Sequence, residues 1–538
     1  MLNDHTKFTK LSTDPFEATG KLERKIRKYL RSLVNNGFMT EDQYNEIRPT
    51  GSNPALLYGL PKVHKQDVPL RPIMSSLNTC NRKLSKFMIP FISHLSINEF
   101  TIPSTFDFVQ QINSFSHTEP LIMVSFDIES LFTNIPLHET IDIIINELFS
   151  DNRTYQGFDK KQFRKLLLLS CTENLLMFNG KLYKQHEGVQ MGGSMGPVLA
   201  NIFMCCMEKR WLNNCPPEFK PIMYRRYVDD TFLLFNNLNQ IQNFYNYLNS
   251  QHPNIKFTME LESDGQLPFI GMTITHTDLG FTTTVFRKPT DTGLGMQFTS
   301  FTQSSFKSNS ILTLVHRCFS ICSSWTLFHQ QMEYLHQYYS NNGFPSGLFW
   351  RCVRRFLHRI HHPPLPSFNV PKDIKYVSLP FLGHHSYVLR NNLQALFKLH
   401  FPQLNVRIIL SNKNTIGSLF PTKDKISLDL RSNVIYKYTC EAGDECVSSY
   451  IGATTRRLKE RICEHLGVSF LTGNKLSDPK SAILDHSRNT GHPILKDSFK
   501  IIGGCRADDS IFILESVFIK YHRPNLNNME SSYSLQIT

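Results

Sequence analysis

The sequence predicts an α+β protein, in which a sheet-and-helix region precedes a helical segment and a small final α/β unit. Three observations support this prediction. Short apolar runs typical of strands alternate with stretches of helical spacing between about residues 57 and 289. The pattern then turns helical from about 302 to 362, where the segment HHPPLP ends it. A strand pair followed by a basic helix begins near residue 433.

Composition and charge narrow the class of protein. The chain has 538 residues, of which 41% are hydrophobic and 41 are phenylalanine, and this excludes an intrinsically disordered chain. Lysine and arginine number 58 against 45 acids, a net charge of +13, which points to nucleic acid or an anionic membrane surface as partner. The chain lacks a signal-peptide core and an apolar run of about 18 residues, so we expect no membrane span, reduced cysteines and a nuclear location.

The first segment, residues 1–49, contains a predicted basic helix at Lys21–Arg31. This stretch has six basic residues and one acid, with Leu22, Ile26 and Leu30 at helical spacing. Two interpretations stay open. The helix is either an amphipathic helix with a solvated charged face, or a basic helix lying along a phosphate backbone.

Residues 50–300 are predicted to form a sheet backed by helices. The predicted strands are Leu121–Phe126, Thr231–Phe235, Phe269–Ile274 and Gly280–Phe286. The predicted helices are Pro136–Phe149, Lys160–Asn174 and Pro197–Trp211. Residues 301–366 form the predicted helical segment, residues 367–431 a connector of no clear type, and residues 432–538 the final unit.

Acidic residues lie at the ends of two predicted strands. Asp229 and Asp230 in the segment YVDD stand between strand-like sequences, which predicts a hairpin turn that presents two carboxylates at a sheet edge. Asp127 ends another predicted strand, where a carboxylate is costly unless it is paired or binds a metal. Together these acids would suit two Mg²⁺ ions about 4 Å apart, the arrangement for phosphoryl transfer. The ordinary alternative is a solvated Asp-Asp turn.

Two further segments carry features of a phosphate-binding site. The segment QMGGSMGP (residues 190–197) opens a predicted helix, and its glycines permit close approach of the backbone to a ligand. The segments YGLPKVHK and PLRPI form a predicted proline-rich hairpin whose cations suit a triphosphate. These cations are Lys62, Lys65 and Arg71.

The order of these segments resembles the reverse transcriptases of Penelope-like retroelements, relatives of telomerase. The blocks that carry the resemblance are YGLPKVHK, PLRPI, SFDIESLFTNIP, QMGGSMGP, YRRYVDD, FIGM and FRKPT, between about residues 50 and 290. The resemblance implies a right-hand polymerase with fingers and palm over 50–300 and a helical thumb over 301–366. It implies that Asp127 and Asp229 bind two Mg²⁺ ions, with Asp230 beside them. Phe132 would face the ribose 2′ position, and Gln190 and Gly192 would touch the template–nucleotide pair.

The last hundred residues contain a second set of candidate catalytic residues. Arg461 and His465 are four residues apart, which places both on one helix face opposite a tyrosine-bearing strand pair. An ordinary charged helix over a small sheet is the alternative. The segments VIY (434–436) and YIG (450–452) resemble the two halves of the GIY-YIG nuclease motif, with Val434 in place of the first glycine.

This second resemblance implies a role for each residue of the final unit. Tyr436 and Tyr450 would position or deprotonate the attacking water, and Arg461 would stabilise charge on the phosphorus. His465 would assist proton transfer. Glu515 would bind one Mg²⁺ ion and Asn527 would support the site.

A zinc site is a further prediction for the final unit. Cys440 and Cys446 lie between the two tyrosine segments, and His486 and His492 follow at a spacing of six. Two cysteines and two histidines suit a tetrahedral Zn²⁺ ion. The alternatives are two buried thiols with two loop histidines, or His465 as a substitute ligand.

The sequence therefore predicts an RNA-directed DNA polymerase fused to an endonuclease. Its expected partners are an RNA template, a DNA primer or target and deoxynucleoside triphosphates. Nicking of the target DNA would supply the 3′ end that the polymerase extends. The alternatives are a domesticated polymerase acting for instance at chromosome ends, or an RNA-binding protein with an inactive nuclease. Members of this family often carry a longer N-terminal region, so a reduced or a truncated N-terminus is expected here; the oligomeric state stays open.

Overall fold

The computed structural model describes residues 2–63, 67–117, 120–150, 154–172, 174–278, 280–363, 374–412, 415–420, 423–442, 446–504 and 510–527. It has the mixed α/β architecture that the sequence predicts. Lys65 lies outside the described residues. Among the helices of the described residues, none combines the length and apolar character that a membrane crossing requires.

The first part of the chain builds one sheet with flanking helices. Its elements are β1 (Phe8–Leu11), α1 (Pro15–Asn35), α2 (Glu41–Ile47), β2 (Ala55–Pro61), β3 (Leu70–Ser75), α3 (Arg82–Ile92) and α4 (Thr105–Ser114). Asp14 caps α1, and Leu22, Ile26 and Leu30 on its inner face are buried. On its outer face Lys21 pairs with Glu17, as expected for an amphipathic helix.

The middle of the chain continues this sheet and adds a second. The elements are β4 (Ile122–Ile128), α5 (Leu131–Asn134), α6 (Leu137–Leu148), α7 (Lys160–Cys171), β5 (Asn174–Phe178), β6 (Lys181–Gln185), α8 (Gly196–Asn214), β7 (Met223–Tyr227), β8 (Asp230–Phe235), α9 (Leu238–Gln251) and β9 (Phe257–Leu261). The first sheet has the order β1-β6-β5-β2-β3 and the second β7-β8-β4-β9. The apolar face of the second sheet packs on α6, α8 and α9 in the largest core of the described residues.

A meander and a helical segment follow. The elements are β10 (Gln266–Phe269), β11 (Met272–Thr277), β12 (Gly280–Val285), α10 (Ser304–Ile321), α11 (Trp325–Asn341) and α12 (Ser346–His361). The strand predicted at Phe269–Ile274 is wrong, because Ile270 and Gly271 have φ of 35° and 81° and form the turn between β10 and β11. The helix predicted at Lys160–Asn174 ends early, since Asn174 begins β5. The other strands and helices predicted within residues 50–300 are present, with ends shifted by at most three residues. The predicted basic helix Lys21–Arg31 is also present, but α1 extends beyond it at both ends.

The connector and the final unit complete the described chain. The connector holds β13 (Ile374–Pro380), α13 (His385–His400) and β14 (Asn405–Ser411), with β13 parallel to β14. The final unit holds β15 (Val434–Thr439), β16 (Ser449–Thr454), α14 (Leu458–His465), α15 (Ala482–Thr490), β17 (Phe499–Gly504) and α16 (Ser510–His522). Its sheet has the order β16-β15-β17.

Candidate functional site: two clusters of polar side chains

The acidic cluster lies at the open end of the β7-β8-β4-β9 sheet. Tyr227 pairs with Asp230, so Val228 and Asp229 form the two-residue turn between β7 and β8. Asp127 lies opposite Asp230 in the pairing of β4 with β8, which places the two side chains on one face of the sheet. The Ile128 N–H donates to the Asp229 carbonyl at 3.0 Å and joins the turn to β4. The predicted hairpin turn thus brings all three acids together.

The electrostatics of this cluster suit a cation. Burial, with the nearby Asp229 and Asp127 carboxylates, raises the pKa of Asp230 from 3.8 to about 6. Asp127 is exposed, so the cluster opens to solvent. Carboxylates that repel one another beside solvent are the oxygen donors that Mg²⁺ prefers, and these residues therefore fit the predicted ions.

A cavity lies next to the carboxylates, and sequence reasoning missed one of its acids. Ser125, Asp127, Asp230, Thr258 and Glu260 line it together with apolar residues of β10 and the following turn. Glu260 pairs with Ser125, so it lies on the same sheet face as Asp127. Its alternation with Thr258 in β9 is the sequence signal that would have indicated this.

Lys256 precedes β9, and its side chain bonds to the end of α9. Its ammonium donates to the carbonyls of Asn249 at 2.7 Å and His252 at 3.4 Å, at the C-terminal end of α9. The interaction of a cation with the last carbonyls of a helix is favourable. These contacts indicate that Lys256 stabilises the C-terminal end of α9.

The predicted hairpin with the basic residues is formed by β2 and β3. The Lys62 N–H donates to the Pro69 carbonyl at 2.9 Å and closes the described end of the hairpin. Arg71 lies opposite Leu60 and is exposed. Both cations are therefore on the same projecting hairpin.

The glycine-rich loop is clamped between this hairpin and α8. The Met74 N–H donates to the Met191 carbonyl at 2.9 Å, and the Ser76 hydroxyl donates to the Gly192 carbonyl at 3.1 Å. Gly192 has φ of 105°, and a Cβ there would lie 2.6 Å from the Met74 carbonyl oxygen. Only glycine fits such an approach. The loop therefore follows β3 closely.

Gln190 begins this loop, and Phe132 bonds through its backbone to the residue before it. Gln190 is buried and lines a small cavity with Arg82, a cation that the sequence reasoning did not single out. Phe132 is half-buried on α5, and its carbonyl accepts a hydrogen bond from Val189 N–H at 2.7 Å. Phe132, Gln190 and Gly192 thus all lie at or beside the glycine-rich loop.

The second cluster surrounds Tyr436 in the final unit. Tyr436 is fully buried, and its hydroxyl lies 2.7 Å from His465 Nε2. Arg461 Nε donates to the same hydroxyl at 3.2 Å. The Nδ1 atom of His465 lies 2.7 Å from the Ser481 hydroxyl, a contact that sequence reasoning missed. A chain of polar contacts therefore fixes the phenol.

Burial controls the protonation of this cluster. Burial raises the pKa of Tyr436, while the Arg461 charge opposes that rise. Burial, helped by Arg461, lowers the pKa of His465 to about 3. His465 is therefore neutral near pH 7 and orients the phenol rather than carrying a charge.

Tyr450, Glu515 and Asn527 complete the predicted set along β16. Tyr450 is in ring contact with His465, with centroids 5.5 Å apart. Ala453 N–H donates to one Glu515 carboxylate oxygen at 2.6 Å, and burial raises the pKa of Glu515. Asn527 accepts from Ile451 N–H at 2.8 Å and so continues the edge of β16. All six predicted nuclease residues therefore meet around β15 and β16.

Val434 stands where the resembled motif has glycine, and its surroundings accommodate a side chain. Val434 is buried in the core of the final unit and pairs with Thr454 and Gly504. It is not among the residues with positive φ. Because neither backbone conformation nor close approach demands glycine there, the substitution leaves the cluster intact.

The predicted zinc ligands converge at one point. The ligand atoms of Cys440, Cys446, His486 and His492 all lie within 4.8 Å of one another. Cys440 Sγ is 3.5 Å from His492 Nδ1, and Cys446 Sγ is 3.6 Å from His486 Nε2. Tetrahedral bonds of about 2.3 Å to sulfur and 2.05 Å to nitrogen would place such atoms about 3.6 Å apart. The four residues fit Zn²⁺.

Two features support that fit. Hydrogen bonds from Ser448, then from Cys440 and His492, lower the pKa of the Cys446 thiol to about 6, and the thiolate is the form that binds metal. His465 contacts Tyr436 and Ser481 instead and lies outside this group. It is therefore not the substitute ligand.

Comparison with known families covers the first cluster. Residues 63–262 match the family described as reverse transcriptase (RNA-dependent DNA polymerase). The chain contains a reverse transcriptase domain. Residues 296–354 match the animal helix-turn-helix domain, which corresponds to α10, α11 and the first half of α12. No curated protein matches the chain.

Solved polymerases align with it at low identity. Telomerase from Candida albicans, in complex with a fragment of telomeric RNA, is 14% identical with a TM-score of 0.39, over 63% of this chain and 62% of that one. Truncated apo telomerase from Candida tropicalis is 17% identical with a TM-score of 0.34, over 42% and 54%. The Sicinivirus RNA-dependent RNA polymerase is 14% identical with a TM-score of 0.36, over 59% and 71%. The chain spans about half to three-fifths of these telomerase chains.

The reverse transcriptase domain contains the acidic cluster, Phe132 and the glycine-rich loop. The Tyr436 cluster and the zinc-ligand group lie outside both matched ranges.

Proposed function

We propose that this chain is a Penelope-like retroelement enzyme that copies RNA into DNA and also nicks DNA with a GIY-YIG endonuclease domain at residues 432–538. The observation that supports it is the presence of two separate groups of catalytic-type side chains in one chain. Carboxylates gather at the β7–β8 turn, and tyrosine, arginine, histidine and glutamate gather on β15, β16, α14 and α16.

In the polymerase site, Asp127 and Asp229 hold two Mg²⁺ ions, and Asp230 adds negative charge beside them. Ions held there would stabilise the attacking and leaving oxygens of an in-line displacement. Lys62, Lys65 and Arg71 neutralise the nucleotide triphosphate. Phe132 excludes a ribose 2′-hydroxyl, and Gln190 with Gly192 contacts the template–nucleotide pair.

In the nuclease site, Tyr436 and Tyr450 position the attacking water. Arg461 stabilises the charge that develops on the phosphate, and its hydrogen bond to Tyr436 sets the phenol in place. Glu515 holds one Mg²⁺ ion. Asn527 fixes β16, and neutral His465 fixes Tyr436.

A structural zinc ion and the partners complete the proposal. Cys440, Cys446, His486 and His492 hold the zinc and join the connection between β15 and β16 to α15 and the residues just after it. The substrates are an RNA template, a DNA primer or target and deoxynucleoside triphosphates, used in the nucleus for target-primed synthesis.

The test is primer extension on a defined RNA template, run beside nicking of supercoiled DNA, with the full-length protein and Mg²⁺. Asp229→Asn should abolish synthesis and leave nicking intact, while Glu515→Ala should do the reverse. Asp278→Asn is the control for the first variant, since Asp278 is an exposed residue of another hairpin turn, and Glu441→Ala is the exposed control for the second.

Each outcome bears on one half of the proposal. Synthesis by Asp229→Asn at the wild-type rate would contradict the metal assignment. Synthesis by a wild type that does not nick DNA would support the domesticated polymerase instead. Neither activity, with retained RNA binding, would support an RNA-binding protein.

A further inference from the structure

A buried arginine lies directly beneath the catalytic turn. Arg226 of β7 is fully buried, and all five of its N–H donors have acceptors. Nε and Nη2 donate to the two Glu208 carboxylate oxygens at 2.5 and 3.2 Å. Nη1 donates to Asn201 Oδ1 at 2.8 Å and to the Val228 carbonyl at 3.1 Å, and Nη2 also contacts Cys205 Sγ at 3.6 Å. The guanidinium therefore connects α8 to the turn that presents Asp229.

Glu208, the counter-ion of Arg226, is also fixed by hydrogen bonds. The Tyr224 hydroxyl donates to one Glu208 oxygen at 3.0 Å, and Asn98 Nδ2 donates to the other at 3.0 Å. Glu208 is also fully buried. A buried ion pair of this kind adds little net stability over apolar residues of similar size. Its presence under a catalytic turn therefore calls for a different explanation.

The turn itself supplies that explanation, because it is strained. Val228 has φ of 59°, in the left-handed region that a β-branched residue rarely adopts. Such a conformation is destabilising for a residue with a Cβ and persists only where its surroundings fix it. The Val228 carbonyl is fixed by Arg226 and the next carbonyl, of Asp229, by Ile128.

We propose that Arg226, held by Glu208 and Asn201, is a positioning residue that keeps the Val228–Asp229 peptide in its strained conformation and so aims the Asp229 carboxylate at the metal site. This inference rests on the proposed polymerase function. Neighbouring Arg225 has no such role, since it is half-buried and contacts Gln111 and its own strand.

The test uses Arg226→Lys, which keeps the positive charge beside Glu208 but loses the planar fork. We expect kcat for primer extension to fall about 30-fold or more, with the KM for nucleotide within about threefold of wild type. Arg225→Lys is the matched control and should remain near wild type. Adding Val228→Gly to Arg226→Lys should restore at least a tenfold part of the loss, because glycine adopts positive φ without strain.

A binding measurement makes the test independent of polymerase activity. Mn²⁺ titration followed by electron paramagnetic resonance should show weaker binding by at least threefold in Arg226→Lys and recovery in the double variant. Failure of the wild type to extend a primer would count against the proposed function, and the Mn²⁺ result would still decide the positioning role. If Arg226→Lys does not fold, Asn201→Ala replaces it, since this change leaves the ion pair in place and should weaken Mn²⁺ binding as well.

Two results would contradict the positioning role of Arg226. Wild-type kcat and Mn²⁺ affinity in Arg226→Lys would overturn the inference. A loss that Val228→Gly leaves unchanged would also overturn it, because Arg226 would then support the fold and not the turn.

Discussion

Replacing Asp230 by asparagine should stabilise the metal-free protein while it impairs synthesis. Asp230 shares the turn with Asp229 and lies opposite Asp127, and asparagine keeps its shape without its charge. The pKa of Asp230 is raised from 3.8 to about 6, so ionising this group in the folded protein carries a cost. That cost is what the variant removes.

The magnitude follows from the pKa. A difference of about two pH units corresponds to about 3 kcal/mol, and partial exposure of the side chain reduces this to about 1.5 kcal/mol. Below pH 4 the group is protonated in both states and costs nothing. Between about pH 4 and 6 the folded state holds the proton longer than the unfolded state, so stability falls as pH rises, and above about pH 6 the full cost is present.

The assay is thermal unfolding of the full-length protein in EDTA. At pH 8 the Asp230→Asn variant should melt about 3–6 °C above wild type in the transition that includes the β7-β8-β4-β9 sheet. This difference should close as pH falls toward 4. Mg²⁺ should raise the melting temperature of wild type more than that of the variant. Equal melting temperatures of Asp230→Asn and wild type at pH 8 would refute the reasoning. So would a difference in melting temperature that does not change with pH. The control Asp278→Asn should melt with wild type at every pH.

Three other predictions concern separate parts of the chain. Phe132→Ala should increase incorporation of ribonucleotides at least tenfold, because a half-buried ring would no longer exclude the 2′-hydroxyl. Cys440→Ser should lower the zinc content of the full-length protein from one equivalent toward zero and lower its melting temperature, whereas Glu515→Ala should keep the zinc. Gly51→Ala should destabilise by more than about 3 kcal/mol, because its Cβ would lie 2.5 Å from the Ser432 Cβ at a φ of 59°.

Controls and contrary outcomes are specific to each. Unchanged ribonucleotide discrimination would leave Phe132 as a core residue. Metal-free protein that folds and nicks normally would return Cys440 to a simple buried thiol. Gly37 has φ of 76° with open space around it, so Gly37→Ala carries the backbone strain without the clash and should cost about 1 kcal/mol. Equal losses for the two glycine variants would show that the contact with Ser432 does not matter.

The sheet that carries the acidic cluster was partly predictable because its signals are local. An apolar run that ends in a carboxylate indicates β4, and two acids before another apolar run indicate β8 and the turn that precedes it. Their convergence depends on long-range pairing, which only the resemblance supplied. The Phe269–Ile274 prediction failed because an apolar residue, Ile270, occupies a turn conformation that composition does not reveal.

Other elements carried no readable signal. Parallel strands are usually apolar runs that are buried on both faces. The strand β13 is largely exposed although it pairs in parallel with β14, so its sequence does not indicate a β13–α13–β14 unit. The sequence shows Arg225 and Arg226 as equivalent basic residues. Strand alternation places them on opposite faces, but only the packing of α8 determines which one is buried.

One helix connects the Tyr436 cluster to the N-terminal part of the chain. Arg457 immediately precedes α14, the helix that carries Arg461 and His465, and its side chain is buried although it carries a charge. It donates to the Ser52 carbonyl at 2.7 Å, in the segment that leads into β2, and lies over the Phe16 ring of α1. The start of α14 thus packs on the N-terminal part of the chain.

This contact predicts how the isolated final unit should behave. Cutting the chain before residue 432 would remove Ser52 and Phe16 from Arg457, although the buried guanidinium would then be hydrated by water. The packing of Gly51 against Ser432 and Thr455 would be lost with them. We therefore expect the isolated segment 432–538 to hold α14 less firmly than the full chain does, and to nick DNA more slowly even with its zinc ligands intact. Nicking by the isolated segment at the full-length rate would show that Arg461 and His465 are positioned by the final unit alone.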